Sequence, residues 1–108
     1  MFRLLTCLFI FLFSAGVQAE EPTWIDVRSA GEYSTGHVSG AVNIPHTEIV
    51  DRISEVTEDR DAPIYVYCRS GRRSGIARDM LEAQGYTNVI NQGGLQEALD
   101  KAGAMPAR

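Results

Sequence analysis

Thiols, imidazoles and tryptophan are scarce: the 108 residues include two cysteines, two histidines and one tryptophan. So few cysteines exclude a scaffold stapled by several disulfides. The histidines, His37 and His46, are separated by loop and strand without ligand-like spacing, so no metal is expected. Beyond the N-terminus no apolar run approaches the roughly 20 residues of a membrane-spanning helix. No long polar, repetitive stretch marks a disordered tail, and no internal repeat is present. Positive charge is in the minority, 10 Lys and Arg against 14 Asp and Glu for a net charge of -4, which argues against nucleic acid as a partner. What is there, 44% hydrophobic and 22% charged residues, makes one globular domain with one core.

The N-terminus is different in kind. Met1, Phe2 and Arg3 lead into an apolar run from Leu4 to Phe13, followed by Ser14, Ala15, Gly16 and Val17-Gln18-Ala19. A basic start, an apolar stretch of about ten residues and small residues before a cut site form the layout of a secretory signal peptide. The pattern predicts cleavage after Ala19, a mature domain over residues 20–108, a periplasmic location and no stable membrane association after cleavage. Cys7 precedes most of the apolar run, whereas a lipobox cysteine follows it, so lipidation is not expected. Removing residues 1–19 takes one of the ten basic residues and none of the fourteen acidic ones, leaving 9 minus 14, or -5. It also takes Cys7. Cys68 is then alone, unable to form an intrachain disulfide, and is either an incidental buried hydrophobe or a reactive thiol.

Along the mature chain, strands alternate with helices. Trp24-Ile25-Asp26-Val27 reads as a strand, and Ser29-Ala30-Gly31-Glu32 has the spacing of a capping box that starts a helix ended by Gly36. Ala41 to Ile44 is a second strand, stopped by Pro45. A helix over 47–56 places Ile49, Val50, Ile53 and Val56 on one face. Ile64-Tyr65-Val66-Tyr67 is a third strand that runs directly into Cys68. A helix from about Arg73 to Gln84 puts Ile76, Ala77, Met80 and Leu81 on one stripe, with Gly85 as its stop. Val89-Ile90 is a last short strand, after which Gly93-Gly94 turns into a helix facing inward with Leu95, Ala98, Leu99 and Ala102. A polar, frayed end over 105–108 follows. The alternation predicts an α/β domain with a mainly parallel sheet, whose ligand crevice lies beyond the carboxyl ends of the strands, where Cys68 sits.

The window Tyr67-Cys68-Arg69-Ser70-Gly71-Arg72-Arg73-Ser74 carries the chemistry. Gly71 allows a tight turn with N–H groups pointing inward, the following helix adds the positive end of its dipole, and three arginines add full charges. Such a bowl stabilises a thiolate, lowers the cysteine pKa and attracts an anion, with Arg72 and Arg73 placed for it ahead of Arg69. Cysteine-based phosphatases and arsenate reductases use a similar bowl with a Cys-x5-Arg loop. Here position 74 is Ser74, and Arg73 gives only Cys-x4-Arg, a loop one residue shorter that suits a single sulfur atom better than a tetrahedral phosphate.

These residues resemble the rhodanese family over nearly all of the mature chain. Ile25-Asp26-Val27-Arg28 with Glu32 and Tyr33, Gly36 through Pro45, the six-residue loop Cys68 to Arg73, and Asn91-Gln92-Gly93-Gly94-Leu95 are similar to four family motifs in the family's order. The resemblance implies a rhodanese-like α/β domain, with a small, mainly parallel four- to five-stranded sheet flanked by helices. The chain starts close to the first motif, so an opening strand found in many members is expected to be missing. It implies a thiosulfate sulfurtransferase without cofactor: Cys68 takes sulfur from a small anionic donor as a persulfide and hands it to cyanide or a thiol. Arg69, Ser70, Gly71, Arg72 and Arg73 would bind the donor, and the arginines resemble thiosulfate-using members more than mercaptopyruvate-using ones. A persulfide carrier serving one protein partner and an inactive binding module are the non-enzymatic alternatives, the intact Cys68 speaking against the second. A monomer is expected.

Other residues read as structure. Asp26 and Arg28 leave the end of a strand and are expected to hold the loops around the site by hydrogen bonds. His37 is expected to satisfy backbone groups in a turn, and Trp24 and Tyr67 to fill the core. Gly93 and Gly94 are read as places of close backbone approach.

Overall fold

The structure, a computed structural model, describes residues 21–104. The expected signal peptide with its cleavage site after Ala19, Cys7, and the polar end over 105–108 lie outside the described residues.

The β-branched and aromatic residues of Ile64-Tyr65-Val66-Tyr67 suit a pleated, buried surface, and they form the central strand β3 (Ile64–Tyr67). It lies between β1 (Thr23–Asp26) and β4 (Val89–Asn91), and β1 pairs in turn with β2 (Val42–Asn43). All three pairings are parallel and the order is β2-β1-β3-β4. Four strands are present among the described residues, all of them parallel. Asp26 is in register with Tyr67, and Val66 with Asn91. The carboxyl ends of the three strands that bear Asp26, Cys68 and Asn91 therefore meet at one edge.

Side chains alternate across the sheet with the period of two that strands impose. Ile25, Val27, Ile64, Val66 and Cys68 face one core, and Trp24 and Tyr67 the other. Helices α2 (Ile49–Arg52) and α3 (Arg72–Ala83) cover the first face with Ile49, Ala77 and Leu81. Helix α4 (Leu95–Gly103) covers the second with Ala98, flanked by Leu95 and Ala102. Ile25, Ile44, Ile49 and Ile64 are fully buried, each contributing on the order of 1.5–3 kcal/mol. The short α1 (Ala30–Ser34) begins at Ser29 with the capping box that the spacing predicts.

Three expectations are corrected. The helix over 47–56 is split into a 3-10 turn (His46–Glu48), α2 and a second 3-10 turn (Ile53–Glu55). The three β-branched residues Ile49, Val50 and Ile53 are weak helix formers and neither turn has a side-chain cap, so packing of Ile49 and Ile53 holds the segment in place. Ile76 is 38% exposed and Leu99 39% exposed, outside the stripes assigned to them. Helix α3 is rotated so that Ser74, Ala77 and Leu81 face inward, which spends its innermost first-turn position on the polar Ser74.

Candidate active site

Cys68 follows directly on β3 and is 1% exposed, with its N–H donating to Gly93 O at 3.1 Å. The chain then doubles back. Gly71 has φ +96°, a conformation that a Cβ strains, and this turns its N–H onto Cys68 Sγ at 3.0 Å. Helix α3 starts at the next residue with no side-chain cap. The first N–H groups of a helix need an outside acceptor, and here the sulfur stands where an N-cap oxygen usually does. The Ser74 hydroxyl approaches the same sulfur at 3.5 Å.

Burial pushes the Cys68 thiol up, but the Ser74 hydroxyl and the backbone N–H groups of Ser74, Ser70 and Gly71 outweigh it, and the net shift is downward. The direction is the one read from the sequence. The donors at the sulfur are neutral groups, the inward N–H groups of the turn that the sequence reading named together with the Ser74 hydroxyl, and none of the three arginines hydrogen-bonds to it among the described residues.

The arginines separate into two kinds. Arg73 is clamped by Glu32 of α1 through two bonds, 2.9 Å to Oε1 and 3.0 Å to Oε2. The Arg73 bond and the Ser29 N–H hold the Glu32 carboxyl at about 2. Arg69 and Arg72 are exposed and form no ion pair among the described residues. Of the three charges, those two are open to an anion, and Arg73 is already compensated.

Asp26 and Arg28 form a buried pair. Arg28 Nη2 donates to Asp26 Oδ2 at 2.6 Å and to Gly36 O at 2.6 Å, which ties the loop after α1 to the end of β1. The Arg28 guanidinium lies 5.9 Å from the Tyr67 ring centroid, and the Tyr67 hydroxyl accepts from Val38 N at 2.9 Å. His37 bonds Tyr33 O through Nδ1 at 2.8 Å and stacks on the Tyr33 ring. A Cβ on Gly94 would stand 2.6 Å from Arg69 O, so this glycine permits a close approach of the active-site loop to the 91–94 segment.

Sequence reasoning passed over three participants. Ser74 serves there only to count the loop, Glu32 only as a helix start and part of a resembling motif, and Asn91 only as part of another such motif. Asn91 ends the strand beside β3 and joins three segments: Ser74 Oγ donates to its Oδ1 at 2.7 Å, Gly93 N donates to the same oxygen at 2.9 Å, and its Nδ2 donates to Gly71 O at 2.9 Å. The available signal is a polar residue on the strand predicted to neighbour the cysteine strand, just before two glycines.

The Rhodanese-like domain family model matches residues 12–101. Thiosulfate sulfurtransferase PspE of Escherichia coli (strain K12) is 45% identical over 86 residues, 80% of this chain and 82% of that protein. A protein named sulfurtransferase from Allochromatium vinosum is 39% identical over 77 residues, 70% of each chain. Among solved structures, a rhodanese with anions from E. coli superposes with a TM-score of 0.71 at 43% identity, covering 80% of this chain and 95% of that one.

Proposed function

The chain belongs to the rhodanese-like domain family and is a sulfurtransferase, and from that premise we propose that it takes sulfane sulfur from thiosulfate onto Cys68. The observation that carries this reading is the sulfur of a buried thiol faced by the Gly71 N–H at 3.0 Å, at the foot of a loop bearing two exposed arginines that form no ion pair among the described residues.

Arg69 and Arg72 draw the dianion to the mouth of the loop, and Ser70, Gly71 and the compensated Arg73 shape the bowl beneath it. The Cys68 thiolate attacks the outer sulfur of thiosulfate. A sulfur–sulfur bond forms to Cys68 while the bond to the sulfonate sulfur breaks, and sulfite leaves with the electron pair. The N–H groups that hold the thiolate stabilise charge on the nucleophile and cost no reorganisation during the reaction. A second nucleophile, cyanide or a thiol, then attacks the outer sulfur of the persulfide, and the thiolate is restored as leaving group. No cofactor enters either step. The Asp26–Arg28 pair supports the site from the end of β1.

Export belongs to the same proposal: residues 1–19 act as a signal peptide, and residues 20–108 work in the periplasm as a monomer. None of the helices among the described residues is long and apolar enough to cross a membrane.

The test is thiocyanate formation from thiosulfate and cyanide by the chain and by Cys68→Ser. Turnover lost in the variant supports the persulfide route. Equal turnover in both would overturn it, and no turnover in either would move the assignment to a carrier loaded by another donor.

A further inference from the structure

Three of the contacts around Cys68 pass through groups held by Asn91. Gly71 aims its N–H at the sulfur, and its carbonyl is bonded by Asn91 Nδ2 at 2.9 Å. Ser74 brings its hydroxyl to 3.5 Å from the sulfur while donating to Asn91 Oδ1 at 2.7 Å. Gly93, whose carbonyl receives the Cys68 N–H, itself donates to Asn91 Oδ1 at 2.9 Å. A side-chain amide has both a donor and an acceptor end, and here one amide uses both to fix the turn, the helix start and the neighbouring loop.

The Ser74 hydroxyl has one proton and two acceptors within range. Facing a neutral thiol, the stronger acceptor is Asn91 Oδ1, and that is the shorter bond. A thiolate is a charged acceptor and competes far better, because a hydrogen bond to an ionised group is roughly twice as strong as a neutral one. When the hydroxyl turns to the sulfur, Asn91 Oδ1 keeps the Gly93 N–H and is not left unpaired. We propose that Asn91 is a positioning residue for sulfur transfer, one that holds Ser74 as a donor able to turn from the amide oxygen to the Cys68 sulfur as the thiolate forms. The inference rests on Cys68 being the sulfur carrier.

Arg73 adds a coulombic attraction to the Cys68 thiolate, but no charged side chain donates a hydrogen bond to the sulfur among the described residues. Glu32 compensates Arg73, Asp26 and Arg28 neutralise one another, and Arg69 and Arg72 are exposed to water.

The experiment measures iodoacetamide alkylation of Cys68 against pH, read on the Cys68 peptide by mass so that Cys7 does not contribute. Wild type, Asn91→Ala, Ser74→Ala and the double variant are compared, with thermal unfolding recorded for each. Both single variants should move the alkylation midpoint upward by about one pH unit, and the double variant should shift by less than the sum, since the two residues act on one hydroxyl. A purely structural role would lower the unfolding temperature and leave the midpoint where it is, and that result for folded Asn91→Ala overturns the proposal. If Asn91→Ala does not fold, Ser74→Ala decides, an unchanged midpoint being fatal. Loss of thiosulfate turnover in wild type would instead remove the proposed function, and leaves the pH comparison readable.

Discussion

Arg73 of the active-site loop and Glu32 of α1, 41 residues apart in the chain, are joined fork to fork by two bonds of 2.9 and 3.0 Å. The Glu32 carboxyl titrates at about 2 against an ordinary 4.5, so the folded state binds this proton less readily than the unfolded chain. The resulting stability is complete above the unfolded value and is lost as pH falls from about 4.5 toward about 2. For a partly exposed pair it amounts to about 1 kcal/mol. Urea midpoints should therefore drop more steeply over this window in wild type than in Glu32→Gln. Parallel pH dependences would refute the assignment.

Arg69→Ala and Arg72→Ala should each raise the KM for thiosulfate about two- to five-fold and leave kcat nearly unchanged, because an exposed charge contributes up to about 1 kcal/mol. Added salt should shrink the difference, since exposed charges are screened. Steady-state kinetics at two ionic strengths checks both statements. A fall in kcat with constant KM would place these side chains in the chemical step instead.

Asp26→Ala leaves the buried Arg28 guanidinium without its partner, and breaking such a pair costs about 3–5 kcal/mol. Chemical denaturation should show that loss. Asp26→Ala combined with Arg28→Met should cost less than Asp26→Ala alone, since no unpaired charge remains. A double variant less stable than the single one would contradict this account.

Gly71→Ala forces a side chain into φ +96°, at about 1–2 kcal/mol. Relaxing that strain turns the N–H away from the sulfur, so the Cys68 thiol should titrate higher than in wild type. Ultraviolet absorbance of the thiolate against pH provides the readout, and a variant with an unmoved titration would show that the Gly71 N–H is dispensable.

Much of this arrangement is legible in the sequence because the informative signals are local. Ile64 to Tyr67 alternates between two cores, Gly71 breaks the chain at the residue that needs positive φ, and Ser29 and Glu32 cap a helix within one turn. The arginines show where legibility ends. Nothing local distinguishes Arg73 from Arg72, and only the folding of α1 against the loop brings Glu32 to one of them. Ser74 and Asn91 are similar: the bond between them crosses from α3 to β4, and its partners become neighbours through sheet order alone. Ile76 and Leu99 are misplaced for a smaller reason, since on so short a helix one residue of rotation moves a side chain from the core to its margin.

The sheet order also bears on how the protein behaves at high concentration. Its two margins are its shortest strands, Val42–Asn43 and Val89–Asn91. A sheet margin is a template on which another chain can add a strand, and the hazard grows with the length of unpaired backbone on offer. Two or three residues provide a poor template. The longer, more apolar strands that would nucleate fibrous association are enclosed at the centre, so the domain can display a reactive loop at one end without offering an adhesive flank.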